Sequence, residues 1–362
     1  MRSLTAPILR VFSTMLFCLT LVGGADAAAS DGPVVGWGRD DFGQATPPDA
    51  VNGISGTATH IAAGGAHSCA IHAGTGSVVC WGWDRWGQAT PPDDVNGVSG
   101  TASDIAAGNS YICAIQAGTG NVVCWGYDRA GQATPPDTVN GVSGTAADIA
   151  AGGAHSCAIH AGTGSVVCWG WDSNYQATPP DAVNGVSGTA SNIAAGYSHS
   201  CAIQAGTGDV VCWGWDFDGQ ATPPDAVNGD SGTAADIAAG HQHSCAIQAG
   251  TGDVVCWGRN NFGQATPPDD VNGVSGTATD IAAGYYHSCA IQTGTGDVVC
   301  WGDDREGQAT PPDTVATDIA AGGYHSLAIA LPEPTAWLSQ LAGAALLCAL
   351  HRSRARRRRG RT

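Results

Sequence analysis

Short apolar runs broken by glycine-rich turns recur along the whole chain, and none inside them has the length or period of an amphipathic helix. Between His199 and Gly214, Ser-Cys-Ala-Ile-Gln leads into Ala-Gly-Thr-Gly and then Asp-Val-Val-Cys-Trp-Gly. Two β-prone runs around a glycine-containing turn predict a hairpin centred on Gly206-Thr207. A further apolar run, Ile-Ala-Ala-Gly, precedes each hairpin, and Gln-Ala-Thr-Pro-Pro-Asp follows it. Pro-Pro bars a central strand and admits an edge strand or an extended rim segment. Four short extended segments per unit predict one blade of a propeller.

The unit recurs every 44 residues at Trp37, Trp81, Trp125, Trp169, Trp213, Trp257 and Trp301, each followed by Gly. A second series follows Ile-Ala-Ala-Gly at His67, Tyr111, His155, His199, His243, His287 and His325. A fixed period of this size predicts a solenoid, propeller or array. The ends select among these. The chain enters the array at Val34-Val35-Gly36-Trp37, the second half of a hairpin, and leaves it at His325-Ser326-Leu327-Ala328-Ile329, the first half. Gly36 and Leu327 stand where the other units carry Cys. If the two halves pair, both members of one missing bridge vanish together. The expected fold is therefore all-β, a seven-bladed β-propeller over 31–331 closed by a split blade, which leaves no open sheet edge at the ends.

The remaining cysteines form six evenly spaced pairs: Cys69-Cys80, Cys113-Cys124, Cys157-Cys168, Cys201-Cys212, Cys245-Cys256 and Cys289-Cys300. On the hairpin register each pair sits face to face at a non-hydrogen-bonded site, which suits a disulfide. Zinc is the alternative and needs ligands gathered around one ion. Residues 1–29 fit a secretory signal: Arg2 and Arg10, an apolar stretch from Val11 to Val22, and a small-residue cleavage pattern at Ala25-Asp26-Ala27. An exported chain with an even cysteine count reads as a disulfide framework.

Charge narrows the partners. The sequence has no Lys, and residues 31–331 hold five Arg against 29 acidic residues, a formal charge of −24. Such a surface repels nucleic acid and anionic lipid and attracts cationic partners. No nucleophile elbow, phosphate loop or unique His–nucleophile pair is present, and seven-fold repetition works against the asymmetric grouping that catalysis needs. No catalytic residue, metal or cofactor is expected. The repeated His are expected to pack and hydrogen-bond within their own blades. The Asp after each Pro-Pro is expected to tie down its turn.

The order Trp-Gly-x-Asp-x-x-Gly-Gln, Ile-Ala-Ala-Gly-x-x-His-Ser-x-Ala-Ile and Gly-x-Val-x-x-Trp-Gly resembles the regulator-of-chromosome-condensation repeat family from Val34 to Ile329. The resemblance implies a seven-bladed propeller. The family's founder is a nucleotide-exchange factor for a small GTPase and binds chromatin. Exported bacterial members include one that inhibits β-lactamases through protein contact. An acidic, Lys-free chain with an export signal shares the scaffold and not the exchange role. The chain departs from the family pattern in its cysteine pairs, in Tyr111 for His and in Tyr175 for Gly. Residues 332–362 carry Pro332-Glu333-Pro334, an apolar segment from Ala336 to Leu350 and seven Arg after His351. This tail is similar to a PEP-CTERM sorting signal. That resemblance implies an exosortase-type processing enzyme, a Gram-negative host and membrane contact through the tail alone.

In near-identical repeats, the positions that differ are the better candidates for a specific task. They fall two and five residues after each repeated Trp, elsewhere in the same loops at Tyr175 and Phe217, and just before the repeated His. They include Trp83, Trp86, Tyr127, Trp171, Tyr175, Trp215, Phe217, Tyr197, Tyr285 and Tyr286. Aromatic loops interleaved with Arg are what binding surfaces enrich. The expected function is a non-catalytic binding module for a protein or polysaccharide at the cell surface or outside the cell. A structural matrix or envelope component is the alternative, and a propeller lyase or hydrolase a third. A binding module requires the aromatics to be exposed on one face; a structural role requires them buried.

Overall fold

The structure, a computed structural model, describes residues 31–331. The signal expected over 1–29 and the tail over 332–362, with Pro332, Glu333 and Pro334, lie outside the described residues. Twenty-one strands, β1 to β21 in chain order, form seven antiparallel sheets of three strands each, and the described residues contain no helix. Blade 1 is β2 (Ala58–Ala63), β3 (His67–His72) and β4 (Val78–Gly82). Blades 2 to 6 repeat it over 102–126, 146–170, 190–214, 234–258 and 278–302. Blade 7 joins β20 (Ala316–Ala321) and β21 (His325–Ala330) to β1 (Val34–Gly38), with Gly36 opposite Leu327. The split blade closes the ring as expected.

The expected fourth extended segment is not a strand. In Pro91-Pro92-Asp93 the Pro92 carbonyl accepts from Val95 and Asn96 N–H, which makes a turn, and only Val95 O then reaches the blade edge, at Val78 N. Two adjacent residues without N–H cannot extend a ladder. The Asp of this turn accepts from the Asn three residues on, as Asp93 does from Asn96 at 3.2 Å, and its carbonyl accepts from Ser99 N–H. The turn-fixing role expected of it is met.

Each hairpin places its cysteines as the register requires. In blade 1 the outer hydrogen-bonded pairs are His72–Ser77 and Ala66–Trp83. Alternation between them leaves Cys69 and Cys80 facing each other at a non-hydrogen-bonded site. All six expected disulfides form, with Cα atoms 4.0–4.1 Å apart.

No core lies on the ring axis. The buried apolar side chains fall into seven clusters, each spanning one seam between neighbouring blades. Between blades 3 and 4, Cys157, Ile159 and Val166 meet Ile193, Ala202 and Trp213, with Val183 from the connecting loop. Leu327 and Ile329 pack against Ile61 and Trp81 at the closing seam. Stability therefore resides in the seams, where each buried Val or Ile contributes about 1.5–3 kcal/mol.

Candidate functional site

The repeated polar residues serve these seams. The backbone carbonyl of Gln176 accepts from Trp213 Nε1 at 3.0 Å and from Ser200 Oγ at 3.0 Å, and Ser200 Oγ lies 2.9 Å from His155 Nε2 of the preceding blade. The Ser hydroxyl gives its one proton to the carbonyl, so the imidazole must donate. The tautomer is Nε2–H, and the bare, buried Nδ1 has no partner. The same contact recurs at His199–Ser244, His243–Ser288, His287–Ser326 and His325–Ser68. The expectation that each His bonds within its own blade is thus corrected: the ring points across the seam. Burial keeps these imidazoles neutral, pushing His155 down to about 4 and His199 to about 3.

Blade 2 breaks this belt. Ile112 replaces the Ser, so neither ring nitrogen of the fully buried His67 has a hydrogen-bond partner. Tyr111 replaces the His, and its longer ring reaches the next blade unaided: its hydroxyl donates to His155 O and lies 2.9 Å from Ser156 Oγ.

Both variable loop sets emerge at one end of the ring. Backbone bonds such as Trp83 N to Ala66 O, Trp215 N to Ser198 O and Asp303 N to Tyr286 O tie each Trp-Gly loop to the turn before the repeated His. The hairpin turns lie at the opposite end. Among the described residues, every exposed aromatic side chain belongs to the first end: Phe42, Trp86, Trp171, Tyr175, Tyr197, Trp215, Phe217 and Phe262. All five Arg of 31–331 are also there, in the Trp-Gly loops.

The ten expected contact residues divide by environment. Tyr285 is half-buried on the axis, and its hydroxyl bonds Asn109 Oδ1 from across the ring. His241 stacks on Tyr197 at 4.1 Å and meets Tyr285 edge-on at 5.2 Å. This plug fits because Gly65, Gly153 and Gly323 hold the equivalent turn positions, and a Cβ on Gly65 would come within 3.1 Å of the Tyr285 hydroxyl. A pocket of about 70 Å³ is lined by Tyr197, His241, Tyr285 and Asn109 together with Ala and Gly of the innermost strands and turns. Tyr286, half-buried, links the plug to Phe262 at 5.3 Å. Trp83 is half-buried beside Phe42, and Tyr127 beside Trp86 at 5.0 Å. Trp86, Trp171, Tyr175, Trp215 and Phe217 are open to solvent, Phe217 at 82% exposure.

Tyr175 is strained. Among the described residues it is the one non-glycine residue with positive φ, at +63°, where six repeats have Gly at +78° to +81°. A bulky residue there costs about 1–2 kcal/mol relative to Gly. The ring is 72% exposed and stacks on no other ring, so packing does not offset the strain. Tyr175→Gly is expected to raise stability by about 1 kcal/mol, part of the relief being lost to the freer unfolded chain. Denaturant unfolding checks this, and a destabilised variant would show an unrecognised packing role.

One feature escaped the sequence reading. The innermost strands bring His60, Asp104, Asp148, Asn192, Asp236, Asp280 and Asp318 around the axis, each just after a β-bulge. The Asp residues accept from backbone N–H, as Asp148 does from Ile149 at 2.8 Å, and Asp236 accepts from Asn192 Nδ2 at 2.9 Å. Burial, with repulsion from neighbouring carboxylates at Asp148, pushes Asp148 and Asp318 up to about 7, and burial with Asp318 and Asp236 nearby holds Asp280 well above its usual range. Among the described residues no three His, Cys, Asp or Glu side chains are placed to hold a metal ion.

The regulator of chromosome condensation (RCC1) repeat model matches residues 146–176, 190–220, 234–264 and 278–308. Each match runs from an innermost strand to the belt Gln. Comparison with curated proteins gives no match. Among solved structures, the propeller is similar to the entire ectodomain of the receptor kinase CR4 from Physcomitrella patens, with 24% identity, coverage of 76% of this chain and 71% of that one, and a TM-score of 0.60. It is similar to the CRINKLY WD40 ectodomain of the Arabidopsis thaliana receptor kinase ACR4, with 22% identity, 75% and 90% coverage, and a TM-score of 0.59. For Prp20p of Saccharomyces cerevisiae the values are 18%, 88% and 96%, and 0.67. At these identities the likeness is one of fold. Seven blades and a split closing blade make the chain a seven-bladed β-propeller, and four of its repeats match the regulator of chromosome condensation repeat.

Proposed function

We propose that this propeller is an exported, non-catalytic binding module that holds a protein partner on its aromatic face, at the cell surface or outside the cell. The observation that carries the reading is the segregation of every exposed aromatic ring and every Arg of the described residues to one end. Rigid aromatics and Arg in loops on a braced scaffold are the composition of binding hot spots. Prp20p, which shares the fold, has binding properties toward Gsp1p and histones, and the two receptor kinases use the fold in ectodomains. Six disulfides fit an oxidising compartment. On this reading residues 1–29 direct export, and the tail from Pro332 serves sorting by an exosortase-type enzyme in a Gram-negative host.

The test is capture of envelope proteins and extracellular polysaccharide on the immobilised protein and on a Trp171→Ala/Trp215→Ala variant of unchanged melting temperature. A protein held by the parent and lost by the variant is expected. Polysaccharide held in its place would make the face a glycan site. Equal retention, or none, would leave a structural role.

A further inference from the structure

The charge on the aromatic face is unevenly spread, and the unevenness says what the face receives. Five of the seven Trp-Gly loops contain an Arg: Arg39, Arg85, Arg129, Arg259 and Arg305. Four of these lie over an aromatic ring of the chain itself, at Tyr324, Trp86, Tyr286 and Phe262, with 4.9–6.0 Å from guanidinium to ring centroid. The two loops without Arg are neighbours, following blades 3 and 4. They are the loops that expose Trp171 and Tyr175, and Trp215 and Phe217. Ser173 and Phe217 occupy the positions that hold Arg85, Arg129 and Arg305 in other repeats. The two loops touch at their bases, where Trp213 Nε1 donates to Gln176 O.

Among the described residues this quarter of the face therefore offers aromatic rings with no Arg over them, Trp215 and Phe217 stacked at 6.1 Å, in loops that also carry Asp218 and the turn-fixing carboxylates of Asp172 and Asp216. A ring face next to carboxylate is a site for a cation. Residues 31–331 hold no Lys, and their five Arg all stand in other loops, so none of these covers the four rings. Resting on the reading of this face as a protein-binding surface, we infer that Trp171, Tyr175, Trp215 and Phe217 receive Arg or Lys side chains of the partner, as the chain's own Arg cover the rings elsewhere. The strained Tyr175, which gains no packing in the free protein, belongs to this contact.

The test measures binding of a blocked Gly-Arg-Gly-Lys-Gly-Arg peptide to the purified protein by calorimetry and tryptophan fluorescence at about 150 mM salt, which screens the general acidic field. An uncharged counterpart carries citrulline and acetyl-lysine. The charged peptide is expected to bind at least about tenfold more tightly. Trp215→Ala and Tyr175→Gly should each weaken it by about tenfold. Ser173→Arg restores the residue type of three other loops, so it should fold, and it should block the peptide. Asp253→Asn, on a hairpin turn at the opposite end, should change nothing. Equal affinity for the two peptides, no binding, or affinity unaltered in the three loop variants would overturn the inference. If the envelope capture depends on Trp171 and Trp215 while the basic peptide neither binds nor competes, the binding-module reading stands and this assignment of its partner falls.

Discussion

Reducing all six disulfides is expected to lower the melting temperature by tens of degrees and to leave the chain unfolded at about 37 °C. Each bridge joins cysteines 11 residues apart, and in the chain-entropy model it contributes about 3 kcal/mol by constraining the unfolded hairpin. A whole domain has a net stability of about 5–15 kcal/mol, so losing several such terms reverses the balance. The effect should be shared among blades. Cys201→Ala/Cys212→Ala is expected to cost about 2–3 kcal/mol and leave the other five bridges intact. Blade 7 shows that a blade forms without a bridge: Leu327 fills the cysteine position, is wholly buried and packs at the closing seam. Thermal unfolding with and without reductant, followed by alkylation, gives the answer. A melting temperature within a few degrees of the oxidised protein would show that the seams alone carry the ring.

Acidification is expected to destabilise the ring progressively below about pH 6.5 and to unfold it before about pH 4. Two sets of groups act with opposite sign. Burial depresses the six imidazoles of His67, His155, His199, His243, His287 and His325 to about 3–4. Below about pH 6.5 the unfolded chain binds protons that the native state refuses. Their contribution is full above that pH, is lost as the pH falls toward 3–4, and is worth roughly 3–5 kcal/mol for each His. The axial carboxylates are raised, Asp148 and Asp318 to about 7. There the native state binds the extra protons. This contribution is full below the ordinary carboxylate value of 3.8 and is lost as the pH rises toward 7. Between about pH 4 and 6.5 the carboxylates offset only part of the loss, since six imidazoles act against Asp148, Asp318 and the likewise raised Asp280. Below that the unfolded carboxylates protonate as well, and the imidazole penalty stands alone. Asp280→Asn/Asp318→Asn should raise stability at about pH 8 by around 2 kcal/mol and steepen the loss on acidification. A melting temperature constant down to pH ~3 would rule out the neutral imidazoles. A double variant less stable at pH ~8 would show that the carboxylates act chiefly as charged acceptors for the backbone N–H groups.

The closure was legible because two unrelated absences, Gly36 and Leu327, fall on opposite halves of one hairpin. The cysteine pairing was legible because a four-residue turn fixes which residues face each other. The gathering of aromatics at one end followed from the period, since loops of equal phase must share a face. Relations between blades were not legible. A 44-residue period shows that His155 and His199 are equivalent, yet not that His155 reaches Ser200. The run Asp-Ile-Ala-Ala-Gly was visible as a strand, but nothing local says that this strand borders the axis. The axial carboxylates escaped notice although Asp recurs before Ile in five of seven repeats. Nothing local separates an extended Pro-Pro segment from a turn, because proline forbids a ladder in both. The division of the ten aromatics into plug and open rings depends on the glycines opposite Tyr285, which belong to blades distant in sequence.

The described chain leaves the propeller at Leu331, just past the end of β21 at which Val34 faces Ile329. That is the end of the hairpin turns, away from the aromatic loops. A tether attached there would hold the ring like a dish on a stalk, with the exposed tryptophans directed away from whatever surface the tether is fixed to. A pull along it would load the middle strand of a three-stranded blade, gripped on both edges by β1 and β20. Attachment at that end would both aim the rings and resist detachment.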